Sequence, residues 1–182
     1  MKIQTKQNGF TLVELMVTIA VLVVTLAIGI PAWDSMLANN RAVSQANMFV
    51  TAINLAKSEA ISQGMPVTVC ANASATNVTE SSLTCATSGT NTWANGWFVF
   101  QDPDNDSVRD SGETVLKLWQ ALEPGSNIDD GGRFNIRYTS TGQNSGTAAT
   151  FELTQDNTKG NQTRCLYLNT VGQIRVEKAA CP

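Results

Sequence analysis

The chain has 182 residues, a formal net charge of -3 and no histidine. The missing histidine excludes Ser-His-Asp and Cys-His catalysis and removes both the commonest zinc ligand and the usual proton shuttle near neutral pH. The acidic balance argues against an electrostatic grip on nucleic acid by the whole molecule, so any such grip has to be local.

The amino terminus, MKIQTKQNG, carries two lysines and no acid, and leads into FTLVELMVTIAVLVVTLAIGIPAW. Basic then apolar is the order of a membrane-targeting segment. As a helix, the roughly 24 residues from 10 to 33 reach about 36 Å, enough for a hydrocarbon core of about 30 Å. A secretory signal cut near Ala27-Ile28-Gly29 is the plain alternative. It leaves Glu14 unexplained, because an ionised carboxylate in hydrocarbon costs on the order of 2.5 to 3.5 kcal/mol and ordinarily has a partner.

Pro31 predicts a kink or local melting of this helix. Beyond it, Ala46, Phe49, Val50, Ile53, Ala56 and Ala60 recur at helical spacing and predict an amphipathic continuation over 34–64. Gly64 and Pro66 supply a stop near Gln63. The pattern then changes to strand candidates at 66–71, 96–101, 114–120, 133–139, 150–154, 165–169 and 173–177. In FNIRY, Phe134, Ile136 and Tyr138 share one face, as Leu166 and Leu168 do in CLYLN. The expected class is α+β: a long helix packed on two small antiparallel sheets or one bent sheet, with loops at 139–147 and 156–163. The Asn-x-Ser/Thr matches at Asn72, Asn77 and Asn161 are what a Thr- and Asn-rich chain produces by chance.

All four cysteines, Cys70, Cys85, Cys165 and Cys181, follow the apolar segment. An even count there predicts disulfides in an oxidising compartment. Three connectivities are open. Nearest-neighbour pairing, Cys70–Cys85 with Cys165–Cys181, closes loops of similar size, each contributing about 3 kcal/mol on the loop-entropy view. Zinc lacks both a C-x-x-C pair and a histidine.

Asp102, Asp104, Asp106, Asp110 and Glu113 fall at positions 1, 3, 5, 9 and 12 of the calcium-loop template, with the carbonyl of Val108 at position 7. Ser107 stands where the template has its turning glycine, and strands rather than helices flank the stretch. The competing expectation is an Asx-rich hairpin loop whose aspartates bond their own backbone, with no cofactor. Carboxylate-pair catalysis would need an apolar wall to raise one pKa, which this short polar loop does not offer, so no enzyme is expected.

The motif Gly9-Phe10-Thr11-Leu12-Val13-Glu14-Leu15 resembles the processing site of type IV pilins and pseudopilins. Trp93, Gly96-Trp97, Val99-Phe100, Asp102, Asp106, Asp110 and Gly112-Glu113 are similar to a signature of the pseudopilin H and FimT/FimU group of minor pilins. The helical Leu55-Ala56-Lys57-Ser58-Glu59-Ala60 resembles a stretch common in that group. The resemblance implies the type IV pilin fold and four segments: a leader, 1–9; a membrane or filament-core helix, 10–33; an amphipathic helix, 34–64; and a periplasmic β domain, 65–182. It also implies cleavage between Gly9 and Phe10 by a prepilin peptidase, N-methylation of Phe10, and pairing of Glu14 with the new amine of a neighbouring subunit. The same implication covers single-pass insertion in an inner membrane and partners among minor and major pilins and the assembly platform. The expected role is priming or capping a type IV pilus; the alternatives are a minor pseudopilin of type II secretion and a DNA-binding pilin of natural transformation. The DNA element of the last reads Gly172-Gln173-Ile174-Arg175 here, one arginine short, leaving Arg175, Lys178 and Arg164 as a thin basic patch. Loss of Lys2 and Lys6 would take the charge to about -5, which weighs against DNA.

Overall fold

The computed structural model describes residues 9–76, 79–90, 92–129, 131–156 and 162–182. Most of the leader, together with Asn77 and Asn161, lies outside them. The elements in chain order are helix α1 (Leu12–Gln63) and strands β1 (Val67–Ala71), β2 (Trp97–Gln101), β3 (Val115–Trp119), β4 (Ser126–Asp129), β5 (Asn135–Tyr138), β6 (Ala149–Gln155), β7 (Gln162–Leu168) and β8 (Ile174–Glu177). The class is α+β.

Helix α1 is 52 residues long. Thr11, in extended conformation, caps it by accepting the Glu14 N–H at 3.2 Å, and Gly64 ends it in the left-handed region at φ 67°. The helix runs through Pro31 without ending or melting. In a helix this long, the loss of one backbone donor is outweighed by the unbroken ladder on either side.

Two four-stranded sheets follow, ordered β3-β2-β1-β5 and β4-β6-β7-β8, with every neighbour antiparallel. Strand β4 is absent from the sequence expectation because Ser-Asn-Ile-Asp has a single apolar residue, Ile128, and no readable alternation. Its register comes from pairing with β6, Ile128 opposite Leu153. Strand β7 likewise begins earlier than its apolar run, since Gln162 pairs with Gln155 through the backbone.

The two central strands of the first sheet, β1 and β2, are buried on both faces. Val67, Val69, Ala71, Trp97 and Val99 join the main core under the helix, while Cys70, Phe98 and Phe100 form a second cluster with Leu83 on the far side. That is why Trp97–Phe100 reads as a continuous apolar run rather than an alternating one. Leu83 and Cys85 pack on the far side, tied down by the Cys70–Cys85 disulfide, Cα atoms 5.5 Å apart. The second disulfide joins Cys165 to Cys181.

The helix meets both sheets along Ala42, Ala46, Phe49, Ala52, Ile53, Ala56 and Ala60, all buried. Small side chains on either side of Phe49 let the backbone come close, and the ring fills the space between the sheets. It stands against Trp93, Trp97 and Phe151 at centroid distances of 5.1, 5.4 and 5.1 Å. Trp93, buried, resolves its polar end by donating Nε1–H to the carbonyl of Arg133 at 2.7 Å.

Candidate functional site

Three places carry the residues that the sequence singled out. The first is the amino-terminal half of α1. From Leu12 to Ile30 its large apolar side chains are exposed, Phe10 just ahead of it is 83% exposed, and no part of the head covers them. This half is long and apolar enough to cross a membrane. Gly9 lies in open space, so the Gly9–Phe10 bond stands clear of the folded body. Glu14 sits in the first turn, where its charge suits the helix dipole. Among the described residues it has no cationic partner. Thr18 and Thr25 return their hydroxyls to the carbonyls of Leu15 and Val21, which settles their donors without water.

The second place is the acidic loop between β2 and β3. Asp102 is fully buried and acts as its internal staple. Its Oδ2 accepts the Thr68 hydroxyl at 2.6 Å and the Ser107 N–H at 3.1 Å, and its Oδ1 accepts the Asp106 N–H at 3.1 Å. Asp106 in turn accepts the Val108 N–H at 2.7 Å, and Glu113 the Asp110 N–H at 2.8 Å. Ser107 makes the sharp turn without glycine, at φ 63°, with Asn105 beside it at φ 69°. Arg137 on β5 holds both residues, its Nη1 donating to the Asn105 carbonyl at 2.5 Å and the Ser107 hydroxyl at 3.0 Å.

Asp102, Asp104 and Asp106 each bring one carboxylate oxygen within 4.8 Å of the others; Asp110 and Glu113 do not join this group. The five template positions therefore do not converge on one point. Burial pushes the Glu113 carboxyl up from its ordinary range; the Asp110 N–H works against this, and Asp102, Asp104 and Asp110 add to it. The loop is organised by Thr68 and Arg137, which lie 34 and 32 residues from their partners Asp102 and Asn105. Nothing in the sequence marks either as belonging to it.

The third place is the carboxy-terminal sheet. The proposed basic patch does not form. Arg164 is 5% exposed and turned toward the helix, donating to Asn39 Oδ1 at 2.5 Å and to its neighbour Thr163 at 2.8 Å. Alternation explains this correction: Leu153 and Arg164 face each other across β6 and β7, so Arg164 points to the helix side. Arg175 is exposed but lies over the Tyr167 ring, 4.6 Å from its centroid, and 3.3 Å from Glu177. Lys178 is exposed beyond β8. One arginine is thus withdrawn from solvent, and the other has a carboxylate beside it.

The carboxy-terminal turn is firmly built. Tyr138, buried, donates its hydroxyl to the Gly172 carbonyl at 3.2 Å, and burial raises its pKa well above the ordinary phenol range. Lys57 on the helix donates to the Val171 carbonyl at 3.0 Å. Gln45 donates to Ser126, which donates to Gln155, at 2.7 and 2.6 Å, joining helix, β4 and β6 at the opposite end of the head.

A membrane-length helix headed by a carboxylate and continuing as the spine of a two-sheet head is the architecture of pilin-type subunits. The family model described as "Type II transport protein GspH" matches residues 45–172, and that of the "Prokaryotic N-terminal methylation motif" matches residues 4–30. The chain belongs to the GspH family. Two crystal structures of the Pseudomonas aeruginosa type IV minor pilin FimU share its fold. One is 20% identical, with a TM-score of 0.53 over 76% of this chain and 89% of that one. The other is 19% identical, with a TM-score of 0.51 over 74% and 90%. No curated protein sequence matches. The protein is accordingly a minor pilin or pseudopilin, anchored by one helix, whose partners are other pilin-type subunits of a type IV pilus or type II secretion filament.

Proposed function

We propose that this subunit helps prime or cap a type IV pilus, docking to other minor and major pilins through its apolar half-helix and the exposed parts of its sheets. The observation that carries this reading is the unburied apolar surface from Leu12 to Ile30 on a chain whose head already has a complete core. Such a surface is stable only in lipid or against other helices. In this reading 1–9 is removed by prepilin peptidase, 10–33 spans the inner membrane before entering the filament, 34–64 is the spine, and 65–182 is a periplasmic head. The amine created on Phe10 pairs with Glu14 of a neighbouring subunit, and insertion proceeds at the inner-membrane assembly platform.

The role is assembly, with no catalytic residue and no resident cofactor. The acidic loop is a structural turn, consistent with every oxygen of Asp102 being engaged by the protein. A minor pseudopilin of type II secretion is the second reading, favoured by the description of the matching family. Deletion of the gene, with complementation by wild-type and by Glu14→Ala, separates them. Loss of surface pili with secretion intact supports the first, and loss of secretion with pili intact supports the second. A Glu14→Ala chain that assembles normally would sink both.

A further inference from the structure

Strand β4 is shorter than the strand it pairs with. Ser126–Asp129 covers Glu152–Gln155 of β6, and no described strand continues it alongside Ala149, Thr150 and Phe151. Gly131 and Gly132, at φ 61° and 88°, turn the chain out of this sheet and across to β5 in the other. Glycine enters the left-handed region freely, which allows so abrupt a departure. The result is an open groove of about 840 Å³ whose lining includes Asp129, Arg133, Asn135, Thr150 and Glu152.

Both walls of the groove present unspent backbone. In β6 the Asp156 N–H donates to the Gly125 carbonyl at 2.7 Å, so even-numbered residues face the β4 side, and with them the N–H and carbonyl of Thr150. In β5 the Phe134 carbonyl accepts the Ala71 N–H, and the Arg137 carbonyl accepts the Ser145 N–H. Odd-numbered residues there face away from β1, and Asn135 turns its N–H and carbonyl to the groove. Neither Thr150 nor Asn135 has a backbone partner on that side among the described residues. Unpaired edges of this kind are templates for another strand.

The side chains specify what that strand carries. Asp129 stands directly opposite Glu152, two like charges on one face, an arrangement that costs stability. Neither has a cation within ion-pairing distance among the described residues. Arg133, in the groove lining, donates to the Thr147 hydroxyl at 2.8 Å instead. Asp129 gives one oxygen to the Gly131 N–H at 3.1 Å, and Glu152 one to the Cys181 N–H at 2.7 Å, which leaves each a second oxygen to accept. Thr150, two residues from Glu152, lies on the same face and is exposed.

We infer that this groove takes an extended, lysine- or arginine-bearing segment from the head of a different pilin-type subunit. The segment adds as a strand beside Ala149, Thr150 and Phe151, pairs with the backbone of Thr150, and sets its cation against Asp129 and Glu152. This rests on the docking role proposed above and gives that docking a place on the head and a chemistry.

A photocrosslinking benzophenone amino acid at Ala148, exposed on the groove's rim, tests it in the full-length chain in its own membrane. A separate probe at Leu26 reports docking of the helix. Crosslinked peptides are identified by mass spectrometry, and thermal melting with both disulfides formed checks the fold of every variant. The expected adduct at 148 is a basic peptide from the head of another pilin-type subunit. Thr150→Pro removes an edge N–H while leaving the β7 ladder, and should lower the yield roughly ten-fold. Thr150→Lys, a surface change that sets a like charge against the incoming cation, should lower it comparably, and Thr150→Val should leave it unchanged. Equal yields in all four chains would overturn the strand site, as would adducts at 148 only with a helix, a second copy of this chain or lipid. Loss of adducts at 148 with pilin adducts kept at 26 would overturn it while leaving docking intact. Absence of pilin adducts at both positions would overturn docking as well.

Discussion

Phe49 of the helix stands edge-on to Trp97 of β2, centroids 5.4 Å apart and planes at 77°. This contact, with those to Trp93 and Phe151, joins the rod to both sheets at one side chain. Phe49→Ala should cost about 3 to 5 kcal/mol, more than any single alanine stripe residue, because the rings around it cannot collapse into the space. Thermal unfolding of the detergent-solubilised chain, followed by near-ultraviolet circular dichroism, checks this; a loss under 1 kcal/mol would show that the sheets do not depend on the ring.

Gly96, at φ 92°, passes so near the end of β3 that a Cβ would lie 2.4 Å from the Trp119 carbonyl oxygen and 2.8 Å from the Gln120 carbonyl carbon. Both obstacles are backbone, so Gly96→Ala should unfold or severely destabilise the head. Gly131, at φ 61°, has open space around it, and Gly131→Ala should cost only about 1 to 2 kcal/mol, the left-handed penalty alone. Denaturant midpoints of the two variants should differ in that order.

Tyr138 ties pH to stability at the alkaline end. Its folded pKa is raised by burial, so the folded state holds the proton more tightly than the unfolded chain. The contribution is complete below the unfolded phenol value of about 10 and falls away as pH rises from there toward the folded value. Tyr138→Phe should remove this alkaline loss and cost about 1 kcal/mol at neutral pH for the bond to Gly172. Melting temperatures measured from pH 7 to 11 on both proteins provide the comparison.

The second disulfide fastens the chain end over β6, where the Cys181 N–H also meets Glu152 Oε2 at 2.7 Å. Replacing Cys165 and Cys181 together by alanine should lower stability by about 3 kcal/mol and raise hydrogen exchange in β8, with little change in β1. Equal effects in both sheets would contradict the separate roles of the two staples.

In the acidic loop, Asp102→Ala should destabilise the head whether or not calcium is present, since it strips the partners from Thr68 and two backbone N–H groups. Isothermal titration with calcium should give no heat at millimolar ion. Binding heat abolished by Asp104→Asn would instead establish an ion site.

The residues legible in the sequence were those whose reason is local or periodic. The processing motif, the apolar rod and its stop at Gly64 are fixed by neighbours in the chain. So are the strands with apolar periodicity, because helix and strand repeats are written directly in side-chain order. Strand β4, the engagement of Asp102 by Thr68 and of Asn105 and Ser107 by Arg137, and the withdrawal of Arg164 from the surface were decided only by tertiary structure. Each depends on which distant backbone lies alongside: β4 exists because β6 offers it hydrogen bonds, and Arg164 is hidden because the register of β6 and β7 turns it toward the helix. A one-residue change of register would expose that arginine without altering the sequence at all.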